Sequence, residues 1–279
     1  MSIYFHWWIG RVDSHKAIES IRKLRTFSSY LLNPILSIGI FDSWSGWLST
    51  LKAFQELSPE YDYIYFWDYD NCPYGDKSPE EVYALSESGV QKLFDAGAGI
   101  VIMACNTAIA YSIRKLQSEV FPNRKILGVT YTWGERAIKK WYTHITVLAT
   151  QWTVNAGTYK ERLKMVKSDS VVDEIALPGL VNYIEHHFNS ETLSIDEDGL
   201  DHISYFLKER VPLLHPDSQS ILLGCTHYSW ISDLVAELFP SQDIIDPSVE
   251  AATKFVDYLQ KHPEIEKKLT KNGIVEYIS

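Results

Sequence analysis

Cysteine is scarce in this chain: Cys72, Cys105 and Cys225 are the three among 279 residues. So low and odd a count, without framework spacing, excludes a disulfide-stapled secreted domain and points to free thiols in the cytoplasm. No CxxC pair or Cys/His cluster in the sequence suggests zinc, so no metal is expected. No Gly-rich phosphate loop follows an apolar run, which leaves a nucleotide cofactor without support. Basic charge is short as well. Lys and Arg number 26 against 36 Asp and Glu, and the net charge of −10 carries no basic block. Nucleic acid and anionic membranes are therefore not expected partners. No apolar run reaches the length of a membrane span.

What is present is the composition of a soluble globular protein, 46% hydrophobic and 22% charged. The first 36 residues stand apart, with five Lys/Arg against two Asp/Glu. Their apolar stretch "IYFHWWIG" has no basic region before it and is no secretory signal. Residues 1–37 are read as an N-terminal extension, either an appended helix or a poorly ordered arm.

Beyond it, short apolar runs alternate with amphipathic ones. Strands are expected at 36–41, 63–67, 99–104, 125–130, 144–150, 174–178, 220–224 and 242–247, mostly Ile- and Val-rich as parallel strands covered on both faces should be. Helices fit between them. The clearest, 78–97, opens with Ser78, Pro79 and Glu81 in a capping-box pattern and stops at Gly97. "NTAIAYSIRKLQSEVF", "TVNAGTYKERLKMV", "LDHISYFLKERV" and "PSVEAATKFVDYLQKH" follow the same rule. The expected fold class is α/β: two similar three-layer domains with mainly parallel sheets, related by a pseudo-two-fold axis, with the active site in the cleft between them. Residues 38–133 with 247–279 would form the first domain and 134–246 the second.

In such sheets, sites lie beyond the carboxyl ends of the strands. Here three strand ends carry chemistry: Asp42-Ser43, Cys105-Asn106-Thr107 and Cys225-Thr226-His227. "VIMACNTA" and "ILLGCTHY" read as one device used twice. A lone buried Cys is usually a small hydrophobe, and Cys72 is left as one. Two with the same polar sequel suit inversion of a stereocentre, which needs an acid on one face and a base on the other. A thiol can serve as either.

These residues resemble the glutamate racemase family of cofactor-independent Asp/Glu racemases. The likeness is carried by "IGIFDS" (38–43), "CPYGDKSPEE" (72–81), "MACNTA" (103–108), "TVNAGTY" (153–159) and "GCTHY" (224–228). It implies interconversion of L- and D-glutamate for peptidoglycan, without a cofactor, in a protein that is often a homodimer. Cys105 and Cys225 would be the acid/base thiols, with Asp42 and Ser43 assisting the first and meeting the substrate amino group. His227 would assist the second, with Glu185 near that side. Pro73, Tyr74 and Gly75 would shape the pocket, and Asn106, Thr107, Thr153 and Thr226 would bind carboxylates. A racemase or decarboxylase of another small acid, or a non-catalytic binder of an acidic ligand, are the alternatives.

The sequence departs from that pattern at tryptophan, of which there are nine. Trp44, Trp47, Trp67 and Trp152 stand where the family favours glycine, and four such side chains are expected to crowd the site. Either the pocket is reshaped, or the codons are UGA in a lineage that reads UGA as glycine; the second reading is preferred.

Overall fold

The computed structural model describes residues 36–279 apart from 44–46, 133–135, 137, 138, 167, 168, 190, 191, 193, 212 and 213. The N-terminal extension up to residue 35 and Trp44 lie outside the described residues.

The first half of the chain lays down β1 (Ser37–Asp42), α1 (Trp47–Leu57), β2 (Tyr63–Trp67), α2 (Pro79–Asp95), β3 (Ala98–Met103), α3 (Asn106–Lys115) and β4 (Lys125–Gly128). The second adds β5 (His144–Ala149), α4 (Gln151–Asn155), α5 (Thr158–Val166), β6 (Val171–Ala176), α6 (Leu180–His187), β7 (Phe188–Asn189), β8 (Ser194–Ile195), α7 (Glu197–Arg210), β9 (Ser220–Gly224), α8 (Ser232–Leu238) and β10 (Asp243–Ile245). The chain then returns through α9 (Pro247–Lys261) and α10 (Pro263–Glu266) to β11 (Val275–Ile278).

Two parallel sheets result, in the orders β11-β2-β1-β3-β4 and β10-β9-β5-β6, beside a small antiparallel β7-β8 hairpin. Without β11, both sheets share one topology. Each places its first strand beside its third, with the second and fourth strands outside. The fold is therefore two α/β domains, each built on a parallel sheet.

Period-two alternation sorts the core. In the second sheet Leu148, Ile221 and Leu223 face one apolar cluster with α6, α7 and α8, while Val147, Ala149 and Leu222 face another with Tyr159 and Leu163 of α5. The sheet is thus the middle layer of three. In the first domain α1 packs on α9 and α2 on α3 around the buried strands. The capping box on α2 is formed: Ser78 accepts from the Glu81 N–H and Glu81 accepts from the Ser78 N–H, worth about 1 kcal/mol.

The strand expectations hold at the sheet centres and slip at the edges. The strand placed at 174–178 runs instead over Val171–Ala176, and β11 is a strand the apolar runs did not reveal. Both are edge strands, half wet, so neither needs a continuous apolar run. The single helix expected over 153–166 is two, broken at Gly157, whose φ of 62° no helix interior accepts.

Candidate active site

In each sheet the crevice between first and third strands opens at their carboxyl ends, because the chain leaves them toward opposite edges. Asp42 ends β1 and Cys105 follows β3; Thr150 and Cys225 follow the equivalent β5 and β9. The two thiols hold the same topological station in two copies of one sheet. Both line one cleft between the domains.

Cys105 is the N-cap of α3, and its Sγ accepts a hydrogen bond from the Ala108 N–H at 3.4 Å. Burial and the Asp42 carboxyl push this thiol up to about 12, against the opposing Ser43 hydroxyl and Ala108 N–H. It therefore rests as a thiol. Ser43, also buried, lines the cleft beside it.

Cys225 has a different neighbour. Its Sγ lies 3.7 Å from Nδ1 of His227, whose Nε2 is 2.6 Å from Oε1 of Glu185 on α6. Burial alone would depress the imidazole, but the thiol and the carboxylate outweigh it and raise the ring to about 10. At neutral pH His227 is an imidazolium, positioned to stabilise negative charge on Cys225.

Asp42 sits behind this pair of thiols, wholly buried, with Oδ1 accepting from the Ser43 N–H at 2.7 Å. Burial raises its carboxyl to about 7, while His227, the Ser43 N–H and the Thr226 hydroxyl pull the other way. It is no helix cap. It is a carboxyl poised near neutrality next to Cys105.

The rest of the wall is mostly polar, with the acidic Asp76 as its one Asp or Glu among the lining residues described. Pro73, Tyr74 and Gly75 line the cleft from the first domain, with Asn106 and Thr107 in the first turn of α3. Thr226 completes it from the second domain. No lysine or arginine is among the lining residues described. An anionic ligand there can be held by hydroxyls, amides, the N-terminus of α3 and the His227 imidazolium. Three of the sequence-chosen residues stand one contact behind the wall: Asp42, Glu185 and Thr153. Thr153 reaches it through hydroxyls, 3.2 Å from Thr107 and 3.0 Å from Thr150, with Thr107 and Thr150 3.1 Å apart. This triangle joins the two domains.

Sequence reasoning missed several members. Thr150 directly follows the strand equivalent to β1 and caps the next helix, a position that the internal repeat could have flagged. Tyr159, fully buried, donates its hydroxyl to Oδ1 of Asn106 at 2.5 Å. That leaves the Nδ2 donors of Asn106 for a ligand. Asp68 holds the loop by accepting from Tyr74 and Asn71, each at 2.8 Å. The turn after β6 adds Leu177, Pro178 and Gly179 to the wall. Cys72 does not line the cleft; its thiol donates to the Tyr69 carbonyl at 2.9 Å.

The expected crowding by tryptophan is not met at Trp67 and Trp152. Trp67 packs beside Tyr65 and Tyr277, ring centres 6.2 and 6.0 Å away. Trp152 meets Tyr111 edge-on at 6.3 Å. Neither lines the cleft or has a positive φ. The side chains of Trp44 and Trp47 lie outside the described residues. The one non-glycine residue in the left-handed region, among those described, is Trp141, with φ 58° and 79% exposure.

No family model matches the chain. Curated relatives do. A glutamate racemase of Clostridium perfringens is 32% identical over 239 residues, covering 85% of this chain and 87% of its own. One of Lachnospira eligens is 32% identical over 251 residues, covering 87% and 89%. Among solved structures, a glutamate racemase isoform from Bacillus anthracis superposes with a TM-score of 0.76 at 26% identity, over 88% of this chain and 87% of the other. The Francisella tularensis glutamate racemase, solved with D-glutamate, gives 0.75 at 26% over the same shares. With two thiols at equivalent strand ends, and likeness running over most of both partners, the chain belongs to the glutamate racemase family.

Proposed function

We propose that the chain interconverts L- and D-glutamate by two-base proton transfer without an organic cofactor, supplying D-glutamate for peptidoglycan in the cytoplasm. The observation that carries this reading is the pair of buried thiols, Cys105 and Cys225, at topologically equivalent strand ends on one cleft.

One thiolate takes the α-proton, and its electron pair passes into the adjoining carboxylate. The opposite thiol then delivers its own proton to the other face. The enzyme ends with the thiol and thiolate exchanged, ready for the reverse direction. The intermediate carries an additional negative charge on a carboxylate held by neutral donors. Each well-aimed donor is worth about 3 kcal/mol to it. Asn106, Thr107 and Thr226 supply such donors, Thr153 sets the Thr107 hydroxyl, and Pro73, Tyr74 and Gly75 shape the pocket.

Activation differs on the two sides. Ser43, on the wall, meets the substrate ammonium, and Asp42 assists Cys105 from behind it; near 7, Asp42 can give or take a proton there. His227, held by Glu185, places a protonated ring nitrogen beside the Cys225 sulfur. Glutamate is favoured as substrate by the relatives' names and by the D-glutamate bound in the Francisella protein. The working unit is proposed to be a homodimer.

The test is exchange of the α-proton of L- and of D-glutamate in D₂O, followed by NMR with the purified chain and nothing added. Exchange from both enantiomers, with interconversion, is expected. Folded protein that exchanges neither would remove glutamate as the substrate.

A further inference from the structure

Outside the cleft, the second domain gathers metal-binding side chains where α6 meets α7. His187 ends α6; Asp198 and His202 stand four residues apart on α7, hence on one face. One ligand atom from each lies within 4.8 Å of those of the other two. His202 Nδ1 is 3.7 Å from Asp198 Oδ2, and the rings of His187 and His202 are 5.7 Å apart, centre to centre.

Two further features build the site. Asp196 places Oδ1 3.2 Å from Nδ1 of His187 and is itself fixed as the N-cap of α7, accepting from the Gly199 N–H at 2.7 Å. A carboxylate on one ring nitrogen is the usual means of orienting a metal-binding imidazole. Gly199 lets α7 come this close: a Cβ there would meet Cβ of His187 at 2.4 Å. Glycine in a helix carries an entropic cost, and here it keeps the imidazole against the helix that holds its partners.

We propose that His187, Asp198 and His202 bind one divalent transition-metal ion of the zinc class. Two imidazoles and a carboxylate suit Zn²⁺, Co²⁺ or Ni²⁺ rather than Mg²⁺ or Ca²⁺, which favour all-oxygen sets. Bond lengths of about 2.0–2.1 Å bring the ligands closer together than they now stand. Asp198 and His202, 77% and 57% exposed, can swing inward by side-chain rotation. The ion ties α6 to α7. Glu185 lies two residues before His187, about 200° around α6, so the ion grips one side of this helix while His227 is met on the other. The sequence hid the site because its ligands come from two helices and include no cysteine.

The experiment titrates the metal-free full chain with cobalt chloride and zinc chloride, following Co²⁺ visible absorption and the thermal midpoint. Because thiols also bind zinc, the titration is repeated in a Cys72→Ser, Cys105→Ser, Cys225→Ser background. One ion per chain, a raised midpoint and a nitrogen/oxygen-type Co²⁺ spectrum are expected in both backgrounds. His202→Gln and Asp198→Asn, on the surface, should each weaken binding by about 10-fold or more. Binding that vanishes with the thiols, persists unchanged in both surface variants, or is matched by magnesium chloride would overturn the proposal. So would failure of the folded chain to bind either metal.

Discussion

Replacing Asp42 by asparagine separates what this carboxyl does for stability from what it does for chemistry. Its pKa stands at about 7, against an ordinary 3.8, because it is wholly buried at the end of β1. Between those values the folded protein keeps a proton that the unfolded chain has lost. Stability through this group is therefore whole below pH 3.8 and falls as pH rises through about 7. A shift of about 3 units, at about 1.4 kcal/mol each, amounts to about 4 kcal/mol. Of that, about 3 kcal/mol falls between about pH 5 and about pH 8. Asparagine keeps the shape and an acceptor for the Ser43 N–H but has no proton to lose. Urea unfolding of both proteins at each pH lets the titration of other groups cancel to first order in the difference. The variant should gain about 3 kcal/mol on the wild type between the two pH values, while racemisation falls sharply. A stability difference that does not change with pH would refute the raised carboxyl. Full activity in the variant would remove Asp42 from the chemistry.

Cys105→Ser and Cys225→Ser should each abolish racemisation, and each should leave exchange in D₂O from one enantiomer only; full activity in either would break the two-base assignment. Tyr159→Phe strands Oδ1 of Asn106 in a buried setting, which costs about 1–3 kcal/mol. A roughly 10-fold or greater rise in KM, with a smaller change in kcat, is the signature expected from steady-state kinetics. Trp141→Gly should stabilise by about 1 kcal/mol, read from the urea midpoint, since a bulky exposed side chain at φ 58° is strained. Gene sequencing settles the tryptophans: UGA at codons 44, 47, 67 and 152 supports recoded glycine, and UGG ends that reading.

The sheet centres were legible because strands buried on both faces must be apolar throughout, as "VIMA" and "ILLG" are. Edge strands are half wet, so β6 slipped and β11 passed unseen. The cleft was legible where chemistry sits directly on a strand end, as at Cys105, Thr226 and His227. It was opaque where a side chain arrives from a distant helix. Tyr159 reads as one more helical aromatic until the fold sets its hydroxyl on Asn106. Thr150 looks like an ordinary strand terminus until the two sheets are seen to share one strand order. The tryptophans failed in the other direction. A substitution pattern suggested crowding, but Trp67 and Trp152 turn away from the cleft.

Val275 in β11 pairs in parallel with Tyr63 in β2, so the first sheet is finished only after the whole second domain has been made. At about 5–20 residues per second of synthesis, the outer edge of β2 waits on the ribosome for about 10–40 s. That edge, "YIYFW", is apolar and aromatic, the kind that recruits strands from other chains when left open. A late stop codon that removes residues 275–279 would spare every residue of the cleft. The loss would instead fall on yield, with nascent chains pairing to one another through the unfinished edge.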